Sequence, residues 1–161
     1  MFFYIRPLNL NMNMDYNRIN NFTGWGTFLV ALVVYLMTMA PTASYWDCGE
    51  FIACANELEV PHPPGAPFFL LVGRIFAMLA GPDMLNVAFM LNLLSVLSSA
   101  FTVLFTPWIT TYLAKKLLMG SSDEAPTNIQ TLVIMAAGGV GGLANTFADS
   151  FWFNAVEAEG Y

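Results

Sequence analysis

Three long apolar runs without a single charged residue constrain this chain more than any other feature of its sequence. They lie at about residues 24–41, 86–113 and 129–147. A helix needs about 20 apolar residues to cross the hydrocarbon core of a bilayer, with roughly 17 as the lower limit. Only 10% of the 161 residues are charged, against about 25% in soluble domains. The sequence therefore predicts an all-α membrane protein with three transmembrane helices in a lipid bilayer.

A fourth apolar segment, residues 66–80, carries Arg74 near its middle. The segment is short for a span, and an arginine at the centre of a bilayer is costly. An interfacial or re-entrant helix on the outer side therefore fits it better than a fourth span.

The distribution of positive charges supports the three-span arrangement. With residues 66–80 kept outside, Arg74 is the one outer cation, and four cations fall on the inner side: Arg6, Arg18, Lys115 and Lys116. This obeys the positive-inside rule. We therefore predict a multi-pass protein with a cytoplasmic tail at residues 1–22, spans and outer helices over 23–147 with the outer loop at 42–85, and the start of a second outer loop at 148–161.

Charge and cysteine content exclude other classes. The net charge of −6 argues against a nucleic-acid partner, which selects a basic surface. Cys48 and Cys54 are six residues apart, which on a helix is too far for a disulfide. No cysteine spacing typical of a metal site is present. Both cysteines are interpreted as small buried residues.

The first outer loop concentrates acidic residues on a predicted helix. Asp47 and Glu50 are three residues apart and would share one helix face, while Phe51 and Ile52 contribute an apolar face. This pattern predicts an amphipathic helix at the membrane surface. Its acids are either simply solvated, or Asp47 accepts a proton from a hydroxyl nucleophile.

A proline-rich elbow follows that helix. Four prolines within residues 61–67 exclude a helix and fix the chain direction. His62, the chain's one histidine, lies in this elbow and is either merely packed or placed to orient a ligand. Arg74 either extends to the interface or pairs with a phosphate, Asp47 or Glu50.

Two further segments have recognisable patterns. The glycines at 138–142 lack the lysine of a phosphate loop and lie in an apolar run, so they predict close helix packing. Glu157 and Glu159 lie in the second outer loop, on the same side of the membrane as Asp47. The chain ends soon after them, which suggests the amino-terminal portion of a larger protein.

Several motifs appear together in an order that resembles a known family. They are WDCGEFI at residues 46–52, HPPGAP at 62–67, Gly73-Arg74, FW at 151–152 and AVEAE at 155–159. The chain resembles the amino-terminal part of a bacterial multispanning family, common in Bacteroidetes and known as a domain of unknown function. That family is similar to transmembrane protein O-mannosyltransferases of the GT-C class.

The resemblance implies a polytopic glycosyltransferase of the bacterial inner membrane that acts on the periplasmic side. It would move a sugar, such as mannose, from a polyprenyl-phosphate donor to a protein hydroxyl, with inversion and without a cofactor. Asp47 matches the base of this class and Glu50 is the reserve candidate. His62 and Arg74 would contact the donor, with Glu157 and Glu159 as further substrate-binding residues. The scheme needs no metal, although a cation site at paired acids stays open.

Two other functions are compatible with the same residues. The chain could be part of a transporter or channel, although its apolar runs lack the ionisable residues that mark a transport path. It could also be a structural membrane subunit whose outer acids are only solvated. Because further spans of the family are absent, the chain by itself is expected to be inactive.

Overall fold

The computed structural model describes residues 15–44, 47–63, 65–120 and 125–158. These ranges contain helices and no strand. The helices are α1 (Tyr16–Thr38), α2 (Cys48–Glu57), α3 (Pro67–Ala80), α4 (Met84–Met119), α5 (Asn128–Thr146) and α6 (Asp149–Val156). Within the described residues, α1, α4 and α5 are long and apolar enough to cross a membrane. The prediction of an all-α membrane protein with three candidate spans is confirmed.

The first helix starts earlier than the apolar pattern indicates. Asp15 caps α1, because its side chain accepts hydrogen bonds from the backbone N–H groups of Asn17 and Arg18. The helix therefore begins at Tyr16 rather than near residue 24, and it includes the last part of the predicted 1–22 tail. Residues 1–14 lie outside the described residues. Hydropathy locates the apolar part of a helix, whereas capping decides where its hydrogen bonds begin.

The fourth helix is also longer than predicted. α4 has 36 residues, so it is about 54 Å long, well over the ~30 Å of a bilayer core. It continues through Pro107 and ends at Gly120, whose N–H bonds to the carbonyl of Lys116. Its polar last turns thus extend beyond the predicted 86–113 run.

The three long helices form a bundle in which α4 runs antiparallel to α1 and α5. At one end, the hydroxyl of Thr111 in α4 donates to Asn20 in α1 at 2.8 Å. At the other end, the hydroxyl of Tyr35 in α1 donates to the carbonyl of Thr146 in α5 at 2.9 Å. These two long-range bonds fix the register of α1 against both of its neighbours.

Glycines allow α4 and α5 to approach closely, as the 138–142 segment predicted. A Cβ at Gly138 would lie 2.5 Å from Cγ2 of Thr111, and one at Gly142 would lie 2.7 Å from Cγ of Pro107. Distances below 3.0 Å leave no room for a methyl group. The packing interpretation of these glycines is therefore confirmed.

The short helices gather at the end of the bundle where α1 ends. α3 has 14 residues, or about 21 Å, which is too short to span. It packs tightly on α2, since a Cβ at Gly73 would lie 3.1 Å from Cβ of Ala55. Cys48 and Cys54 are both buried and free, as predicted. The small core beneath the site contains Cys48, Phe51, Ile52, Ala55, Leu70, Leu91 and Ala158.

Candidate functional site

Asp47, Glu50 and His62 meet at the amino-terminal end of α2. Glu50 accepts two hydrogen bonds from His62, at 2.8 Å from its backbone N–H and at 2.9 Å from Nδ1 of the ring. The other ring nitrogen, Nε2, lies 3.7 Å from Oδ2 of Asp47. The three side chains are 38–42% exposed. The structure thus brings the two predicted acids and the histidine into one solvent-accessible cluster, here called the acid–histidine cluster.

The chain reversal after α2 carries His62 back to Glu50. Leu58 ends the helix in the left-handed region at φ 57°, and its N–H bonds to the carbonyl of Cys54. The elbow then runs back along α2, and after His62 it turns again at Gly65, whose φ is +71°. The N–H of Gly65 donates to the carbonyl of His62 at 3.0 Å. Both turns together fix the position of the ring.

The aromatic ring of Phe51 packs against the imidazole of His62. The ring of Phe51 lies edge-on to His62 at 6.1 Å between centroids, and Phe69 of α3 packs on the other side of Phe51 at 6.0 Å. Phe51 is 5% exposed. The ring of His62 is therefore held on three sides by protein groups, which restricts its orientation toward the two acids.

Glu50 and His62 each shift the pKa of the other. The hydrogen bonds from His62 hold the pKa of the Glu50 carboxyl below its usual range. The hydrogen bond between the ring and the Glu50 side chain raises the pKa of the His62 imidazole, with smaller contributions from the charges of Glu50 and Asp47. Glu50 therefore holds His62 through both carboxylate oxygens, and its lowered pKa makes it a weaker proton acceptor than an unperturbed glutamate.

The same three side chains form a donor set that could hold a metal ion. One ligating atom from each of Asp47, Glu50 and His62 lies within 4.8 Å of the others. Two carboxylates and an imidazole suit a divalent transition ion. The sequence did not indicate this set, because His62 follows Glu50 by 12 residues and joins the acids only through the reversal at Leu58.

Arg74 lies apart from the acid–histidine cluster. Its guanidinium donates to the backbone carbonyl of Asn56 and lies 3.5 Å from the side-chain oxygen of that residue. Asn56 is nine positions after Asp47, roughly 13 Å along the helix axis. Of the sequence alternatives for Arg74, pairing with Asp47 or Glu50 is therefore wrong: the side chain instead caps the carboxyl end of α2.

The second outer segment reaches the first. The hydroxyl of Ser44 donates to the carboxylate of Glu157, and the N–H of Ala40 donates to the carbonyl of Val156 at 2.9 Å. Glu157 thus lies beside the chain that leads into Asp47, as a shared compartment would require. Glu159 lies outside the described residues.

The sequence did not indicate a role for Asn92 or for a groove beside it. Asn92 is a completely buried amide in α4 that bonds to both outer segments. The detectable signal was a polar residue within an otherwise apolar run, which often marks function in membrane helices. One turn further along α4, a groove of about 290 Å³ is lined by Ser95, Ser98, Ser99, Thr102, Phe69 and Phe151.

These features define an integral membrane protein with a carboxylate–histidine cluster outside its candidate spans. Residues 47–161 match the family of the protein O-mannosyl-transferase TMEM260 N-terminal domain. The match covers most of the chain, so this chain belongs to that family. The resemblance to protein O-mannosyltransferases is confirmed, and its bacterial, Bacteroidetes-type assignment stays a prediction.

A curated relative points the same way. Over 86 residues the chain is 34% identical to the "Protein O-mannosyl-transferase tmem260" of Dictyostelium discoideum. The aligned part is 53% of this chain and 10% of the relative, so the chain corresponds to a small portion of that protein's length. No solved structure matches the chain.

Proposed function

We propose that the chain is the amino-terminal part of an integral membrane glycosyltransferase that transfers a sugar from a polyprenyl-phosphate donor to a protein hydroxyl. Mannose is the sugar that the family name favours. The observation that carries the proposal is the convergence of Asp47, Glu50 and His62 outside the candidate spans. A site there can receive both a protein acceptor from water and a donor whose lipid stays in the bilayer.

Charge at the two ends of the bundle supports a periplasmic site. Arg18 lies near the start of α1, and Lys115 and Lys116 lie near the end of α4. Nζ of Lys115 lies 4.8 Å from the ring of Tyr16, so these cations share one end of the bundle. The acid–histidine cluster lies at the opposite end. The positive-inside rule assigns the cationic end to the cytoplasm, which would make the amino terminus cytoplasmic. In the bacterial inner membrane that the resemblance implies, the acid–histidine cluster would then be periplasmic.

Asp47 is the residue that we assign as general base. Both carboxylate oxygens of Glu50 accept hydrogen bonds from His62, which leaves Glu50 the task of holding the ring. Asp47 faces Nε2 of that ring across 3.7 Å. A protonated His62 would balance the charge of one of the two carboxylates, and on accepting a proton Asp47 would become neutral.

The reaction that these groups support is an inverting transfer. Asp47 takes the proton of the acceptor hydroxyl as its oxygen forms a bond to the anomeric carbon. The bond from that carbon to the phosphate oxygen breaks, and its electron pair leaves with the lipid phosphate. Alignment of acceptor and donor in one site provides much of the rate. Arg74 and Glu157 would contact donor and acceptor at the edges of this site.

The experiment compares Asp47→Asn with Glu59→Gln in the full-length protein at matched expression. Membranes receive radiolabelled polyprenyl-phosphate mannose and a Ser/Thr peptide. Glu59 is an exposed acid of the same loop outside the cluster, so its variant should keep the wild-type rate. Loss of a general base costs about 100- to 10,000-fold, and we expect a loss in that range for Asp47→Asn.

The outcomes separate the parts of the proposal. Equal rates for Asp47→Asn and wild type would refute the assignment of the base while leaving the transferase activity in place. A wild type that transfers from none of several lipid-linked sugars would refute the transferase proposal itself. A transporter or a structural subunit would then account better for the family's membrane helices.

A further inference from the structure

Asn92 connects three separate parts of the chain through one buried side chain. It is 0% exposed. Its Nδ2 group donates to the carbonyls of Ala40 and Thr42, at 2.7 and 3.0 Å. Its Oδ1 accepts from the N–H of Ala158 at 2.9 Å and lies 4.0 Å from the thiol sulfur of Cys48. Both donors and the acceptor of the amide are therefore occupied.

A side chain with this set of partners is unusual in an apolar helix. A buried amide is destabilising unless its hydrogen bonds are made, and an apolar residue at this position would pack without that requirement. The other long-range buried bonds of the bundle, such as Tyr35 to Thr146, join one span to another. Asn92 instead joins a span to two segments that lie outside the spans.

Each of these two segments leads directly to an acid of the site. Residues 40–44 continue into Asp47, and Ala158 follows Glu157. The segments also contact each other where Ser44 donates to the Glu157 carboxylate. Without the amide of Asn92, the carbonyls of Ala40 and Thr42 and the N–H of Ala158 would lose their buried partner.

We infer that Asn92 is a positioning residue that holds the Asp47 segment and the Glu157 segment together as one site. The role of Asn92 in transfer rests on the proposed function. Its role in holding the two segments together does not. Asn92 reaches neither acid directly. It acts on them through the two backbone segments that it bonds.

The first test measures that geometry without any transfer reaction. The full-length protein carries Ser44→Cys and Glu157→Cys, with Cys48→Ala and Cys54→Ala to remove the native thiols. The rate of oxidative crosslinking in membranes is compared with and without Asn92→Leu, which keeps the side-chain size and removes the amide. We expect the rate to fall about tenfold, since the lost hydrogen bonds favour separation of the segments.

A matched control distinguishes positioning from general destabilisation. Thr111→Val removes the long-range hydrogen bond that the buried Thr111 donates to Asn20 at the opposite end of α4, and it should leave the crosslinking rate unchanged. Should Asn92→Leu fail to accumulate, Asn92→Asp has the same shape and no amide N–H group, and it should also slow crosslinking. An unchanged rate in whichever of these two variants folds would overturn the inference, as would an equal fall in Thr111→Val.

The second test measures transfer in the native-cysteine background. Asn92→Leu should lower kcat about tenfold or more while the KM for the acceptor peptide changes little, because the acids are displaced and not removed. Slower crosslinking with an unchanged kcat would overturn the positioning role. A wild type without transfer would refute the proposed function, and the crosslinking result would still decide whether Asn92 holds the two segments together.

Discussion

Replacing Gly138 with alanine should loosen the contact between α4 and α5. The new methyl group would lie 2.5 Å from Cγ2 of Thr111 and 3.2 Å from the backbone oxygen of Pro107. Thr111 cannot rotate away cheaply, because its hydroxyl bonds to Asn20 and to the carbonyl of Trp108 and its χ1 is restricted by β-branching. A backbone oxygen cannot rotate at all. The two helices must therefore move apart.

The magnitude follows from two opposing contributions. Overpacking a close contact costs about 1–3 kcal/mol, while a glycine-to-alanine change in a helix stabilises by about 0.5–1 kcal/mol. Gly139 provides the control on the same helix, since a Cβ there would meet only Cγ2 of Thr23 at an ordinary 3.7 Å. The free energy of unfolding of Gly138→Ala should thus be lower than that of Gly139→Ala by about 1–3 kcal/mol.

The assay is equilibrium unfolding of the purified full-length protein in mixed detergent micelles, followed by helical circular dichroism and repeated for both variants. The comparison between neighbouring positions removes helix propensity, expression level and detergent effects. Equal unfolding of Gly138→Ala and Gly139→Ala would refute the close packing of α4 against α5. A Gly138→Ala variant more stable than wild type would also refute that close packing.

Further predictions concern the cluster and the bundle. Glu50→Gln should return the pKa of His62 toward the unperturbed 6.5, as seen in an NMR titration of the ring; an unchanged pKa would contradict the hydrogen bond. In wild type, the raised pKa of His62 adds stability that is complete below about pH 6.5 and is lost as the pH rises through the pKa of the folded state. The lowered pKa of Glu50 adds stability that is lost as the pH falls below 4.5. The protection factors of the elbow amides, which are exchange rates corrected for the intrinsic effect of pH, should therefore be largest between these limits. Tyr35→Phe should lower the free energy of unfolding by about 1 kcal/mol, and no change would argue against its bond to Thr146. Transfer should persist in EDTA, because the proposed base needs no metal; abolished transfer that Mn²⁺ restores would show that the cluster works through a cation.

Much of the site was accessible from the sequence because its signals are local. The spacing of Asp47 and Glu50 on one helix, the prolines beside His62 and the absence of a disulfide follow from geometry over a few residues. The sequence also allowed most acids and most cations to be assigned to opposite sides of the membrane, because that assignment depends only on which loops the spans separate. Neither the pattern nor the spacing could show that Glu50 accepts two hydrogen bonds from His62.

The amino-acid sequence by itself determined the class of this protein: charge-free runs long enough to cross a bilayer admit a helical membrane protein and exclude a soluble one. Tertiary structure decided which polar groups meet. The ring of His62 reaches Glu50 through a reversal at Leu58, Arg74 bonds to Asn56, and Asn92 joins segments as far as 66 residues away. Hydropathy and helical periodicity extend over only a few turns, whereas these contacts depend on how the helices pack and where the chain between them turns.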